Sequence, residues 1–420
     1  MSNIKTIKYL FFKTTNYIFI IRIIGALISL ISSIIIARVI GIDDAGRYFL
    51  SLSIIAITAS LSSLGFNNLI LKHCSSGDKT NNLKSNIFIY STKKIFLSTL
   101  TGAIILLFLL PIFTEDCKIN NFNYILGFSI IISTLNIIFT AYLQSQKKIT
   151  LSVITQYIIQ PSLLTFALIL TPLIFSSVGY NFAIYYYLIS ILITFIIYSC
   201  VISQKISFKS YKNENFSFIK NEKRDYFISN SLGMLITQSY ILISGLFLTS
   251  SDIAIVAISE KLTLVVNLFS ISIITLVSPQ ISKYFSLREH GKVKSIVQKS
   301  VISISIIGLL ICTFFLIFGD HILLLFGNDF SKGINVLFIF MLSQVINSIF
   351  SPAYALLNMT GEQSFLSKLH LYMAIPSVVI TLVMTYFFKI EGLAISKLLV
   401  IILINIIPAI YIKRKFGYWI

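Results

Sequence analysis

Twelve apolar windows punctuate the sequence, and each is long enough to be a membrane span. They begin near Tyr17, Gly46, Ile95, Tyr124, Leu151, Tyr180, Tyr226, Ile253, Ile296, Gly333, Phe365 and Ile390. The first, Tyr17 to Ile40, has 24 residues. At about 1.5 Å rise per residue it crosses a hydrocarbon core of about 30 Å as a helix. Only helices or closed barrels satisfy their backbone polar groups without water, and uninterrupted apolar runs of this length predict helices. The fold class expected is therefore an all-α polytopic membrane protein with about 12 transmembrane helices.

Composition agrees: 56% of the residues are hydrophobic and 11% charged, where soluble domains carry about 25% charged residues. A net charge of +18 would suit nucleic acid only if the basic residues clustered in a soluble domain. Instead they sort by loop. Of the 33 basic residues, 25 lie at the N-terminus (Lys5, Lys8, Lys13), in alternate loops, or at the C-terminus (Lys413, Arg414, Lys415). The intervening loops hold Lys118, Lys332 and Lys389 beside Asp43, Asp44, Glu115, Asp116, Asp252, Asp320 and Asp329. By the positive-inside rule both termini are expected in the cytoplasm, and no nucleic-acid partner is expected. No short apolar core with a cleavage site follows the first lysines, so the first helix is expected to stay as an anchor. Cys74, Cys117, Cys200 and Cys312 lie in separate segments without a CxxC pair. Neither a disulfide framework nor a metal site is expected.

The longest polar stretch, Ser203 to Asp225, follows the sixth span. It divides the chain into an N-terminal six-helix lobe, 1–202, a basic cytoplasmic linker, 203–225, and a C-terminal six-helix lobe, 226–420. The lobes resemble each other. A shift of 208 positions sets Ile24-Gly25-Ala26-Leu27-Ile28 on Leu232-Gly233-Met234-Leu235-Ile236 and Asp44 on Asp252; a shift of 212 sets Ala141-Tyr142 on Ala353-Tyr354. Six spans per half give repeats of the same orientation, related by an axis along the membrane normal.

Several spans carry polar residues at helical spacing. The first has Arg22, Gly25, Ser29 and Ser32; the fourth Ser129, Ser133, Asn136, Thr140 and Gln144; the seventh Asn230, Gly233, Thr237, Tyr240 and Ser244. The eighth has Glu260, Thr263, Asn267 and Ser270, and the tenth Gln344, Asn347, Ser351, Tyr354 and Asn358. Any one such stripe is explained by helix packing. Taken together, with the long amides Asn136, Asn267, Gln344 and Asn347, they fit a polar cavity. Intramembrane charges say more, because each costs about 2.5–3.5 kcal/mol at a helix centre. Arg38 and Arg47 lie near helix ends and can also snorkel. Arg22 lies about 8 Å, Lys397 about 10 Å and Lys261 about 12 Å into their spans. Glu260 adjoins Lys261 in sequence, yet neighbours on a helix point about 100° apart and pair poorly. Cations in excess would suit an anionic substrate, above all a diphosphate, while Glu260 is placed to compete for them or to take a proton. For His370 a packed, neutral imidazole is the favoured reading. No phosphate-cradling glycine loop, nucleophile elbow or zinc motif is present, so the sequence gives no ground for an enzyme.

Ala37-Arg38, Gly41, Gly46 and Tyr48 in ARVIGIDDAGRY, with Gly25 before them and Leu64-Gly65 in SSLGFNN after, resemble the start of polysaccharide-unit flippases of the Wzx type. These belong to the multidrug/oligosaccharidyl-lipid/polysaccharide (MOP) exporter superfamily. Asn358-Met359-Thr360-Gly361 agrees, as does Ile390-Glu391-Gly392-Leu393-Ala394-Ile395-Ser396, which is similar to the superfamily's GxxGAA turn with Leu393 and Ile395 altered. The resemblance implies a V-shaped pair of six-helix bundles in the bacterial cytoplasmic (inner) membrane. It implies translocation of an undecaprenyl-diphosphate-linked oligosaccharide, an O-antigen or related lipopolysaccharide repeat unit, to the periplasmic leaflet by alternating access. Arg22, Lys261, Arg38 and Lys397 would hold the diphosphate. No cofactor is implied beyond proton or sodium coupling, for which Glu260 is the candidate. Partners would be the lipid-linked oligosaccharide, membrane lipids, and a polysaccharide polymerase with its chain-length machinery.

Two other functions are weighed against this one. A cation-coupled drug exporter of the same superfamily would want acidic residues inside spans one to six, which have none away from their ends. A membrane-embedded polysaccharide polymerase would want a sizeable outer loop, and the longest here are roughly residues 114–123 and 319–332.

Overall fold

In a computed structural model of the chain, the backbone is described for residues 2–75, 81–113, 121–146, 148–174, 179–204 and 219–419. Side chains are described for all of these except 2–19, 81–82, 106–113, 121–123, 219–226, 228–230, 235 and 237. Outside the described residues lie Cys117, the loop lysines Lys79, Lys118, Lys147, Lys205, Lys209 and Lys212, and most of the expected linker. The side chains of Lys5, Lys8, Lys13, Asn230 and Thr237 lie outside them too. Every regular element among the described residues is helical. The chain divides into two compact units, Met1–Met234 and Leu235–Ile420.

The first unit contains α1 (Ser2–Ile40), α2 (Ile42–Ser62), α3 (Phe66–Ser75), α4 (Asn81–Phe113), α5 (Asn121–Ser145), α6 (Ile149–Ile154), α7 (Gln160–Ile174) and α8 (Tyr180–Ser203). A π-helical turn, Thr155–Ile159, joins α6 to α7. Helix α5 sits at the centre, packed on α2, α3, α4 and α8. Phe88 on α4 stacks obliquely on Tyr142 of α5 with ring centroids 4.4 Å apart, beside buried Phe66, Leu69, Ile138 and Tyr198. Helix α1 lies along α7 and the π turn. A Cβ on Gly25 would come within 2.6 Å of the Tyr157 Cβ and 2.7 Å of its carbonyl oxygen. Ser32 closes the same seam through the Thr165 hydroxyl and the Pro161 carbonyl, 3.3 Å away. Half of the first polar stripe is thus spent on helix contact. The Asp44 carboxylate accepts the Tyr180 N–H at 2.9 Å and satisfies one of the donors that open α8.

The second unit is built from the end of α9 (Ile219–Phe247) with α10 (Ser250–Ser286), α11 (His290–Leu324), α12 (Ile334–Ile349), α13 (Ser351–Met359) and α14 (Gln363–Phe416). Helix α9 begins at Ile219, so the last part of the expected linker is helical. Helices α10, α11 and α12 pack on one another, and α12 also packs on α14. Asp252 sits in the first turn of α10 as Asp44 does in α2, the equivalence that the internal repeat predicts.

Among the described residues nine helical stretches are long and apolar enough to cross a membrane. The last of them, α14, has 54 residues, roughly 81 Å of helix and more than twice a hydrocarbon core. Lys389, at φ 51° and ψ −133°, breaks it in two. The halves fold back on each other. Phe365 stacks on Tyr411 with centroids 3.9 Å apart, and Glu362 accepts hydrogen bonds from Tyr411 at 2.6 Å and from Lys415. Outward faces are apolar: Leu173 is 80% exposed and Ile375 74%, as lipid-facing side chains are.

The break explains the turn motif near residue 392. A Cβ on Gly392 would sit 2.0 Å from the Met384 carbonyl oxygen, a backbone atom that cannot swing away. Gly392→Ala is therefore expected to lower the melting temperature of the purified protein by about 5 °C or more. Gly291→Ala, whose added methyl meets nothing within 4 Å, is expected to melt with the wild type in the same measurement.

Candidate functional site

A cavity of about 520 Å³ opens inside the second unit. Five helices reach it. Tyr240 comes from α9, Glu260 from α10, Gln344 and Asn347 from α12, Tyr354 and Asn358 from α13, and His370, Thr381 and Lys397 from α14. These are residues of the seventh, eighth and tenth stripes, joined by two halves of a hairpin whose polar positions are far apart in sequence.

At one side of the cavity the Lys397 ammonium donates to the Glu260 carboxylate. The Lys397 side chain is 7% exposed and that of Glu260 26%. The ammonium also lies 3.9 Å from the centroid of Phe340 and 4.8 Å from that of Tyr240, two rings set edge to face at 5.8 Å. A lysine this deep in apolar helices needs a counter-ion, and the aromatic faces add a further attraction. Helical geometry makes Glu260 a poor partner for its neighbour Lys261, and the structure gives it to a residue 137 positions away.

Elsewhere the polar lining is held in place by its own bonds. Asn405 donates to Asn347 at 3.3 Å and to the Ile401 carbonyl at 2.8 Å. Tyr354 donates to the Ile404 carbonyl at 3.0 Å, and Gln344 to Ser348 at 3.4 Å. Nδ1 of His370, in the lining, is buried with no hydrogen-bond partner among the described residues, and the Tyr240 hydroxyl lies beside the Glu260 carboxylate. Among the described residues no group of three or more His, Cys, Asp or Glu is placed to hold a metal ion.

The remaining candidates are distributed differently. Gln344, Asn347 and Lys397 meet at the cavity with Glu260, whereas Lys261 and Asn267, half-buried on α10, do not line it. In the first unit Arg22 is half-buried, and its buried Nε has no hydrogen-bond partner among the described residues. Arg38 is exposed at the end of α1. Asn136 donates to the Ile191 carbonyl and to Thr194, both at 3.0 Å, so its amide joins α5 to α8. Sequence reading did not single out Phe340 or Asn405. An isolated Phe in an apolar span carries no signal, but Asn405, an amide in the last span, breaks an apolar run and was legible.

Charged and amide side chains gathered among apolar, lipid-facing helices define a multi-pass membrane protein. The fold has solved counterparts of the same kind. The structure superposes on the lipid II flippase MurJ with a TM-score of 0.76, at 13% identity over 94% of this chain and 87% of that one. It superposes on an inward-facing multidrug resistance MATE family transporter of the MOP superfamily with a TM-score of 0.75, at 12% identity over 95% and 98%. The sequence profile of the polysaccharide biosynthesis protein family matches residues 11–285. The chain belongs to that family. It is also 22% identical, over 96% of its length and 84% of the relative's, to a probable low-salt glycan biosynthesis flippase, Agl15, of Haloferax volcanii.

The ion pair makes its own prediction. Removing one member strands the other in apolar surroundings, at a cost of about 3 kcal/mol. Glu260→Gln and Lys397→Met are each expected to destabilise the protein by that amount in thermal unfolding, and the double variant to recover most of it.

Proposed function

We propose that the protein is a flippase that carries an undecaprenyl-diphosphate-linked oligosaccharide across the bacterial inner membrane, from the cytoplasmic to the periplasmic leaflet, by alternating access. The unit carried is an O-antigen or related lipopolysaccharide repeat. The observation that carries this reading is a cavity in which amides and hydroxyls stand among apolar side chains, inside membrane helices, in a member of the polysaccharide biosynthesis family. An apolar substrate would not need such a lining, and a small ion would not need such a volume. The names of the relatives point the same way: one acts on lipid II and another in glycan biosynthesis.

In this reading Arg22, Arg38 and Lys261 hold the diphosphate. Arg22 is the strongest of the three, since its buried Nε–H, unmet among the described residues, is free to donate to a phosphate oxygen. Lys397 already has Glu260 as its counter-ion. Transport is coupled to protons or sodium, with Glu260 as the carrier, and the product is passed to a polymerase and its chain-length machinery.

Everted membrane vesicles test the function. With lipid-linked glycan supplied on the cytoplasmic face, wild-type vesicles are expected to deliver it to the lumen faster than empty ones. Arg22→Ala at matched expression is expected to slow delivery about tenfold or more, the value of one charge-assisted hydrogen bond. Wild-type vesicles that move no lipid-linked glycan but export a lipophilic cation would assign the protein to drug export instead.

A further inference from the structure

The cavity of the second unit holds a combination of groups that selects among the parts of such a substrate. Resting on the flippase reading, we infer that this cavity is the recognition pocket for the uncharged, hydroxyl-bearing sugar end, and that the diphosphate binds elsewhere.

Charge is the first argument. Lys397 and Glu260 are the lining residues that carry full charge at neutral pH, and they neutralise each other. A diphosphate entering here would have to pull Lys397 from Glu260 and would then lie against a bare carboxylate in surroundings of low polarity, where like charges repel strongly. A lipophilic cation fares no better. The aromatic faces of Tyr240 and Phe340 that would receive it already receive the Lys397 ammonium. An acyl chain would suit the apolar part of the lining, such as Ile271, Ile274, Val400 and Ile401, but it would cover Nδ1 of His370 without bonding to it.

A sugar hydroxyl both donates and accepts, and the cavity offers both functions. The side-chain amides of Asn347 and Asn358 present donors. The Tyr354 oxygen, its own hydrogen given to the Ile404 carbonyl, presents lone pairs, as does the Glu260 carboxylate. His370 is the most telling residue. It lines the cavity, and its buried Nδ1 has no hydrogen-bond partner among the described residues. Buried polar atoms are seldom left unpaired, and a ligand hydroxyl would supply the missing bond. The Tyr240 hydroxyl, on the cavity wall beside the Glu260 carboxylate, is a second polar group there. The volume, 520 Å³, falls within the range of about 300–1,000 Å³ typical of small-molecule sites and leaves room for a short glycan.

The test compares two probes on the full-length protein in lipid nanodiscs: the lipid-linked glycan that accumulates in the producing cell when this protein is depleted, and the same lipid stripped to bare polyprenyl diphosphate. Tyr240→Phe keeps the ring and deletes only the hydroxyl, so it is expected to unfold cooperatively as the wild type does. Tyr240→Phe and Asn358→Ala are each expected to raise the Kd for the glycosylated lipid about tenfold and to leave that for the bare lipid unchanged. Arg22→Ala is expected to weaken both probes alike. If Tyr240→Phe and Asn358→Ala weaken both probes equally, the cavity holds the diphosphate and the inference is wrong. It is equally wrong if the wild type prefers the glycosylated lipid and neither pocket variant changes that preference. Failure of the flippase reading looks different: no glycan-bearing lipid accumulates on depletion, or the wild type binds neither probe, and the inference falls with it.

Discussion

Backbone polar groups in hydrocarbon have no water to bond with, and every other feature of this protein follows from that constraint. It forces the apolar windows into helices. It also removes the alternative partner on which a polar side chain in a soluble protein can fall back. A serine or asparagine placed in these helices must bond to its own preceding turn, to a neighbouring helix, or to whatever enters a cavity. Most hydroxyls take the first course, as Ser129 does with the Ile125 carbonyl at 2.8 Å and Thr134 with that of Ile130 at 2.7 Å. Asn136 takes the second.

The third course is what separates the cavity of the second unit from an ordinary helix seam. Its lining is fixed by bonds such as that from Asn405 to Asn347, so the polar groups are positioned before any ligand arrives. Yet Nδ1 of His370 is left without a hydrogen-bond partner among the described residues. A seam evolved only for packing would have no reason to retain an unmet polar atom, which costs about 1–3 kcal/mol when buried. The ion pair between Lys397 and Glu260 belongs to the same arrangement. It brings a charged donor and a charged acceptor to the cavity wall while keeping their sum neutral, which lets the wall bond to hydroxyls without drawing in free ions.

The apolar helices could be read from the chain because each depends on local composition, and the turn at Gly392 was marked by the resemblance of its motif. Hydrophobic runs mark helices wherever they occur, and a glycine that a neighbouring carbonyl nearly touches is needed whatever surrounds it. Stripe positions such as Tyr240, Gln344 and Asn347 were also visible, since helical periodicity is a local property.

Tertiary structure alone decided which stripes face a seam and which face a cavity, and which charges meet. Gly25 and Ser32 share a stripe with Arg22, yet their side of α1 closes on α7 and the π turn. Glu260 and Lys261 are adjacent in the chain, yet Glu260 pairs with Lys397 across 137 positions. The physical reason is the same in both cases. Periodicity fixes the direction in which a side chain leaves its own helix, but the partner it finds there depends on how the helices pack, and that packing is set by contacts summed over the whole unit.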